Sequence, residues 1–564
     1  MKARRRTIPH RIPQWARTGA LACVLGGSLG AQGIQTLILE GDPVPGAPGT
    51  LSSVLDVSVN DDGEWLIRTT VSSAGSTLEV AILNGAAVLI QDDDLFDPPG
   101  LTVDRFDDVE IGNDGALWWN IDTSASGTLD EIMYRNLTLL GREGSDVGDP
   151  GQSNGTIWKD FDGFDVGPEG NLLVLGDIDN PTVSGPTEAM AGRMLFDELG
   201  ALLSVEVLLR EGNGIPGTFD AVLDVGTNAG AHDVGIAGDH WIVYVRGDGG
   251  SGSDEILVVD GLLAAKEGQT GPDVGTIWSK LSSNAVDIVD TGDYVFRGEY
   301  SIIGGDTLSA IFKNGEVLFQ EGDTSDSLAP WSLASFGQNT PILLGENGNV
   351  VYYGKTDNTN TSIDDAYFLN DRYLVQGNTT PVGGNVIGNL ITGPNGISMS
   401  KSGRYVVFEA FFADGTNGAF LMDLGLIQEM ESCSTALGTL EHVGGIPILG
   451  ETVEFQMDGE QDLGVTPVFL LSTDPIVGWP PCGLMTPFGE LLIDVSSANG
   501  NPAVIQFGMP SDFSPADFSV LVPADPNLLG RQYYAQGLWW DIGDQTPAEN
   551  FRFTNALQID LGPN

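Results

Sequence analysis

An all-β chain of seven four-stranded repeats is the fold this sequence predicts, and three observations predict it. A turn glycine followed by an apolar run recurs at Gly63, Gly115, Gly170, Gly238, Gly292, Gly348 and Gly403, spaced by 52, 55, 68, 54, 56 and 55 residues. Each interval holds four short apolar or β-branched runs divided by turn residues, the pattern of one small antiparallel sheet per repeat. The second run of each repeat is almost continuously apolar, as in Trp65-Leu66-Ile67, Leu117-Trp118-Trp119 and Val350-Val351-Tyr352-Tyr353. A strand covered on both faces has that composition, and a sheet set between two neighbouring sheets is so covered. The expectation is a seven-bladed β-propeller over 32–425, followed by a β-sandwich over 427–564.

The first repeat shows how each element is justified. Residues 51–59 are rich in Val and Leu and predict a strand. Asn60-Asp61-Asp62-Gly63 predicts a tight turn, because Asn, Asp and Gly reach positive φ at little cost. Trp65–Val71 and Leu78–Leu83 predict the second and third strands, and Asn84-Gly85 is a strong hairpin signal leading to a fourth strand at Ala87–Gln91. Later repeats keep the order, with hairpins at Asn314-Gly315, Asn370-Asp371 and Asp260-Gly261. The fourth strand usually ends in Glu-Gly, at Glu143, Glu211, Glu267 and Glu321, with Gln376 in the sixth repeat.

A Glu-Gly step also precedes the first repeat, in Thr36-Leu37-Ile38-Leu39-Glu40-Gly41-Asp42. Two assignments follow. Residues 35–40 complete the last blade and close the ring, removing two sheet edges, or 424–428 supply that strand and the N-terminal run is an extra edge. The 68-residue interval holds about a dozen extra residues within 177–203, a longer loop or hairpin and a weak pointer to function.

With Asn60…Gly63 and Gly403…Phe408 as its best copies, the repeat resembles that of secreted bacterial tandem-repeat proteins marked by Asn-x-x-Gly-x-x-x-x-apolar-Phe. The copies ending at Gly170, Gly238 and Gly292 lack the Asn. The resemblance implies a β-propeller over about 35–425 and transfers no activity. Tyr533–Trp540 and Thr554–Leu557 resemble a C-terminal module appended to exported bacterial repeat proteins.

The chain carries a formal charge of −54. Six of its 24 Lys and Arg lie in the first 17 residues, among no acids, which leaves 18 against 78 beyond them. Nucleic acid is therefore not an expected partner; a glycan, a protein or a cation is. Residues 1–31 predict a signal peptide: Lys2, Arg4, Arg5, Arg6, Arg11 and Arg17, a short apolar stretch, and small residues at Gly30-Ala31. No later segment is apolar enough to span a membrane, and a secreted or cell-envelope location is expected, by an ordinary or a twin-arginine route. Cys433 and Cys482 are then expected to form a disulfide, which would close about 50 residues and contribute roughly 4 kcal/mol.

Candidate chemistry is sparse. His232, His240 and His442 are the histidines beyond the leader, and His240, within a strand run, is expected to be packed. Gly151-Gln152-Ser153-Asn154-Gly155 matches a nucleophile elbow in letters, but a strand rather than a helix follows it. No catalytic residue is assigned. Asp160, Asp162 and Asp165 alternate oxygen ligands around Gly163 and are a Ca²⁺ candidate, against the plainer reading of an Asp-rich turn. Asp92-Asp93-Asp94 is a weaker one. Glu40, Asp42, Glu143, Glu211, Glu267 and Glu321 recur at the crossovers and are candidate ligand-binding residues acting through their summed field. There, too, glycine can serve only the turn and Glu only a local cap. Tyr533, Tyr534, Trp539 and Trp540 offer either a sugar-stacking platform or core. The expected function is an exported, non-catalytic binding or scaffold protein. The alternatives are a polysaccharide-active enzyme using carboxylates on one propeller face, and a structural surface protein attached through its C-terminal domain.

Overall fold

The computed structural model describes residues 33–564 except 74, 94, 96–99, 126, 128, 148–155, 180–187, 198–199, 219, 226–233, 251–252, 326–327, 338–339, 431–437, 445–446, 460–464, 474, 476–483, 487–488, 494–503, 508–514, 526–527, 529–530, 542–550 and 563–564. The signal segment, Ser153, Cys433 and Cys482 lie outside the described residues.

The described residues form an all-β, propeller-like fold. Along 34–423 one antiparallel sheet follows another, and in all but the last the strands lie in sequence order from the innermost outward. The first comprises Thr50–Val59, Trp65–Ser73, Ser76–Leu83 and Ala86–Ile90, each within two residues of its expected span. The second runs from Val103–Ile111 to Thr138–Arg142, the third from Ile157–Val166 to Leu202–Arg210, and the fifth from Thr276–Ile288 to Glu316–Gln320. In the fourth and sixth the innermost strand is split, into Val222–Val225 with Val234–Ala237 and Leu333–Phe336 with Leu343–Leu344.

In the last sheet, Ile34–Leu39 pairs antiparallel with Asn417–Asp423, Ile34 opposite Met422 and Leu39 opposite Gly418. The alternative strand, Leu426–Glu429, pairs instead with Phe551–Asp560 far along the chain. Ile38, Val407 and Ala419 of this last sheet share a core with Leu51, Ile67 and Val80 of the first, so the ring of sheets is continuous.

The continuously apolar second strands have a simple cause. Consecutive side chains point to opposite faces of a strand, and here both faces are covered. Leu66 packs with Phe106 and Trp119 of the second sheet, while Ile67 packs toward the last. Trp118 and Trp119 divide in the same way, as do Leu172 and Leu173. Each sheet therefore contributes to two cores.

The extra residues of the third repeat lengthen its outer hairpin, Glu188–Phe196 with Leu202–Arg210. Phe196 meets Trp118 of the preceding sheet edge-on at 5.3 Å, and the Arg135 guanidinium lies over both rings. This insertion clasps its neighbour.

Beyond 425, Leu426–Glu429, Phe551–Asp560, Gln532–Asp541, Val465–Ser472 and Val504–Phe507 form one sheet. A second comprises Gly438–Gly444, Thr452–Gly459 and Ala516–Leu521, and the two share a core that includes Phe455, Phe469 and Trp539. Tyr533 packs on that core, and Tyr534 and Trp540 pack on the opposite face with Val468 and Leu492. The aromatic run is packed on both sides and offers no open platform. Arg404 joins the two regions, bonding Asp423 at 3.0 Å and Asp560 at 3.4 Å.

Candidate functional site: an axial carboxylate cluster and an acidic crossover end

The innermost strand of each sheet has one edge without a strand partner, and its N–H groups must be satisfied another way. Side chains do this from the preceding sheet. Ile111 N–H donates to Ser58 at 3.1 Å, Val166 N–H to Glu110 at 3.2 Å, Ile236 N–H to Asp165 at 2.7 Å and Leu344 N–H to Asp287 at 2.8 Å. Each acceptor stands two residues before the turn, and together they line the ring axis.

A second set of bonds meets the β-bulges. The register of the inner strands shifts at Val54/Asp56, Phe106/Asp108, Phe161/Gly163 and Leu281/Val286. A bulge leaves a residue unpaired in its own sheet. Val54 N–H donates to Asn417 at 2.8 Å, Phe106 N–H to Glu79 at 3.0 Å, Phe161 N–H to Glu131 at 2.9 Å and Leu281 N–H to Glu255 at 2.5 Å. The acceptor lies in the third strand of the preceding sheet each time, and Asn417, Glu131 and Glu255 open theirs. Glu79, Glu110, Glu131, Asp165, Glu255 and Asp287 thus staple one sheet to the next.

The axial cavity is lined by Asp56, Asp108, Glu110, Asp165, Asp287 and Lys401, among others. Lys401 reaches in from the turn of the last sheet to Asp165 of the third, its Nζ at 3.1 and 3.2 Å from the two carboxylate oxygens. The two side chains are only 17% and 16% exposed. Burial acts to discharge Lys401, but Asp165, Asp287 and Glu110 outweigh it and hold the ammonium charged, with its pKa above the usual lysine value. Burial pushes Asp287 up to about 6 against the pull of Lys401. Burial also carries Glu110 well above the carboxylate range, with repulsion from Asp165 adding to it. Next to them, burial lifts Asp56 to about 6 and Asp108 well above its ordinary value; the two carboxyls hydrogen-bond to each other, and the pair holds a proton. The cavity measures about 70 Å³. That is room for a few waters and far short of the roughly 300 Å³ at which small-molecule pockets begin.

The turns around this cluster are linked in turn. Asp61 N–H donates to Asn113 at 3.0 Å, Asn113 returns a bond to Asp61 at 2.6 Å, and Ser402 N–H donates to Asp61 at 2.8 Å. Asn347 donates to the Gly403 carbonyl at 3.2 Å and Asn171 to that of Gly238 at 2.7 Å. The recurrent turn was expected to serve backbone geometry alone; its side chains also bind neighbouring sheets. Gly403 has φ of 75° and sits where an added Cβ would overlap the Asn347 carboxamide, whereas Gly85, at φ of 90°, has open space around it. Gly85→Ala should therefore cost only the left-handed backbone penalty, about 1–2 kcal/mol. Gly403→Ala should cost clearly more in urea unfolding; equal losses would rule out the turn-to-turn contact as a source of stability.

His240 is not packed in a core. It is about a third exposed and bonds Asp260 at 2.7 Å, with its ring against Gly292 of the next turn.

The candidate residues taken from the sequence sit elsewhere. The Glu-Gly glycines adopt positive φ at Gly41, Gly144, Gly212, Gly268 and Gly322. Their N–H groups bond the start of the next inner strand, at Leu51, Trp158, Val222, Trp278 and Leu333. Glu40, Asp42, Glu143, Glu211, Glu267 and Glu321 therefore occupy the crossover end of the ring, and none of them lines the axial cavity. Glu40 accepts the Asn417 N–H at 3.3 Å, Asp42 that of Leu39 at 2.9 Å and Glu143 that of Asp130 at 3.2 Å. Glu211, Glu267 and Glu321 accept no side-chain hydrogen bond from the described residues.

Asp160 and Asp165 face different partners. Asp160 hydrogen-bonds Glu131, whose pKa is pushed up to about 9 first by burial and then by that bond, while Asp165 pairs with Lys401. Asp162 lies between them, half-buried. Among the described residues no group of three or more His, Cys, Asp or Glu is placed to hold a metal ion.

Sequence reasoning missed Lys401 and, apart from Asp165, which it read as a Ca²⁺ candidate, the axial acids. A signal was present: Ser58, Glu110, Asp165 and Asp287 share one offset from the turns that begin at Asn60, Gly112, Gly167 and Val289.

No protein-family model and no curated protein matches the chain. Among solved structures it is similar to the polysaccharide lyase Uly1, with TM-score 0.34 and 9% identity over 71% of this chain and 94% of that one. It is also similar to Trypanosoma rangeli sialidase in complex with the inhibitor DANA, with TM-score 0.30 and 11% identity over 95% of this chain and 97% of that one. A third, Penicillium chrysogenum alpha-L-arabinanase complexed with arabinobiose, gives TM-score 0.24 and 12% identity over 69% of this chain and 98% of that one. No helix among the described residues is long and apolar enough to cross a membrane.

Proposed function

We propose that the chain is an exported, non-catalytic binding or scaffold protein, a seven-bladed β-propeller followed by a β-sandwich, that meets its partner at the crossover end. One observation carries this. The axial carboxylates are committed to backbone N–H groups and Lys401 around a cavity too small for a sugar, while Glu211, Glu267 and Glu321 at the crossover end accept no such bond from the described residues. Among the described residues no Phe, Tyr or Trp is exposed, so none of them offers a ring for sugar stacking. A basic protein or a cation suits this end better than a glycan.

A second reading, acid–base chemistry on a polysaccharide, draws on the Glu131–Asp160 pair. Asp160 is exposed and Glu131 stays protonated to about pH 9. The first reading is preferred because Phe161 N–H donates to both carboxyls, at 2.9 Å each, which is the inter-sheet staple repeated elsewhere without any such pair.

The test is a comparison of the native protein with the triple variant Glu211→Gln, Glu267→Gln, Glu321→Gln. Binding to poly-lysine, to Ca²⁺ by calorimetry and to a glycan array with and without Ca²⁺ is measured. Salt-sensitive binding to poly-lysine, weakened in the triple variant, is expected. Turnover of a polysaccharide that is abolished by Glu131→Gln would replace this proposal with the enzyme.

A further inference from the structure

In the crossovers an aliphatic side chain normally packs into the core between two sheets. Val44, Val147, Ile215 and Leu328 do this and are only 2–3% exposed. Val44, Val147 and Ile215 each stand three residues after the Glu-Gly glycine; in the fourth-to-fifth crossover that place is held by Gly271. The aliphatic residue of this loop is Val274, and it is fully exposed. Beside it the loop joining Tyr294–Ile302 to Thr307–Lys313 is tied down by Ile303 N–H donating to the Gly275 carbonyl at 2.9 Å. Ile303 is 70% exposed, and Ile277 and Ile302 are exposed next to it. The charged groups of the two loops, Asp273 and Asp306, are both exposed acids.

We infer that this tip of the fifth sheet is a docking point for a basic protein partner, one presenting an apolar side chain flanked by Lys or Arg. The inference rests on the function proposed above and gives it a place and a partner class. The fold does not require an exposed aliphatic side chain in this crossover, since the crossover's aliphatic residue is buried elsewhere at Val44, Val147, Ile215 and Leu328. Burying them against a partner recovers the hydrophobic free energy that exposure forfeits. Charge selects the partner: a second copy would bring its own −54 to a tip already flanked by acids, whereas a basic surface is attracted.

The probe is a synthetic peptide of alternating Lys and Leu, followed by fluorescence anisotropy against the full chain at low and high salt. Val274→Ser with Ile303→Ser should weaken binding roughly tenfold and leave the melting temperature unchanged, because both side chains are exposed. Asp273→Asn with Asp306→Asn should reduce the salt dependence. Unchanged affinity in the Val274/Ile303 variant overturns the docking point. If the Glu211/Glu267/Glu321 variant then loses binding, the crossover end still stands as the binding end; if neither variant weakens it, the proposed function falls as well. Self-association abolished by the Val274/Ile303 variant would overturn the basic partner in favour of a second copy.

Discussion

Lys401→Met is expected to destabilise the ring by about 3–5 kcal/mol, the usual cost of removing one partner of a buried ion pair. The ammonium is the single cation lining the axial cavity among the described residues, set against Asp165, Asp287 and Glu110. Its loss leaves those carboxyls facing one another with no positive charge to offset their desolvation. The pairing also spans the ring, from the last sheet to the third, so it restrains sheets that share no core. Asp165→Asn should relieve much of the damage in the Lys401→Met background, since the amide oxygen can still accept the Ile236 N–H and no buried charge remains there. Urea unfolding of the native protein, both single variants and the double variant measures the coupling. A loss below about 1 kcal/mol for Lys401→Met, or no rescue in the double variant, would remove the axial ion pair from the account of stability.

The second large effect is on pH. Glu131 lies at about 9, Glu346 and Glu409 at about 7, and Asp56, Asp107 and Asp287 at about 6, each raised chiefly by burial. A carboxyl whose folded pKa exceeds its unfolded value takes up a proton on folding. Its contribution is complete below the unfolded value, near 4, and is lost as pH rises through the folded value. Each loss therefore begins near pH 4 and is complete at about pH 6, 7 or 9 in turn. The lowered groups, Asp293, Asp357 and Asp414, act in the opposite sense, and only as pH falls below about 4. Melting temperature should be highest near pH 4 and decline to pH 9, most steeply between pH 4 and 6. Glu131→Gln should flatten the alkaline part of that decline, because the amide keeps an acceptor for Phe161 N–H without titrating. A profile that rises between pH 5 and 9 would show that these carboxyls are ionised in the folded protein.

What the sequence alone determined is local. The turns at Asn60–Gly63 and its echoes, the Asn-Gly hairpins and the strand spans follow from backbone preferences and from apolar runs a few residues long. The double coverage of the second strands was legible for the same reason, because consecutive apolar residues such as Leu66 and Ile67 leave neither face free. The site was not legible in this way. Bulges shift the inner strands by a residue, as at Phe106/Asp108 and Phe161/Gly163, and a one-residue shift exchanges the faces of a strand. Alternation could not show that Glu110 and Asp165 point to the axis. Lys401 meets Asp165 across 236 residues, and no local pattern encodes a pairing that exists only once the ring has brought the last sheet opposite the third. Tertiary structure decided which acids are spent on backbone N–H groups and which, such as Glu211, Glu267 and Glu321 at the crossover end, accept none from the described residues.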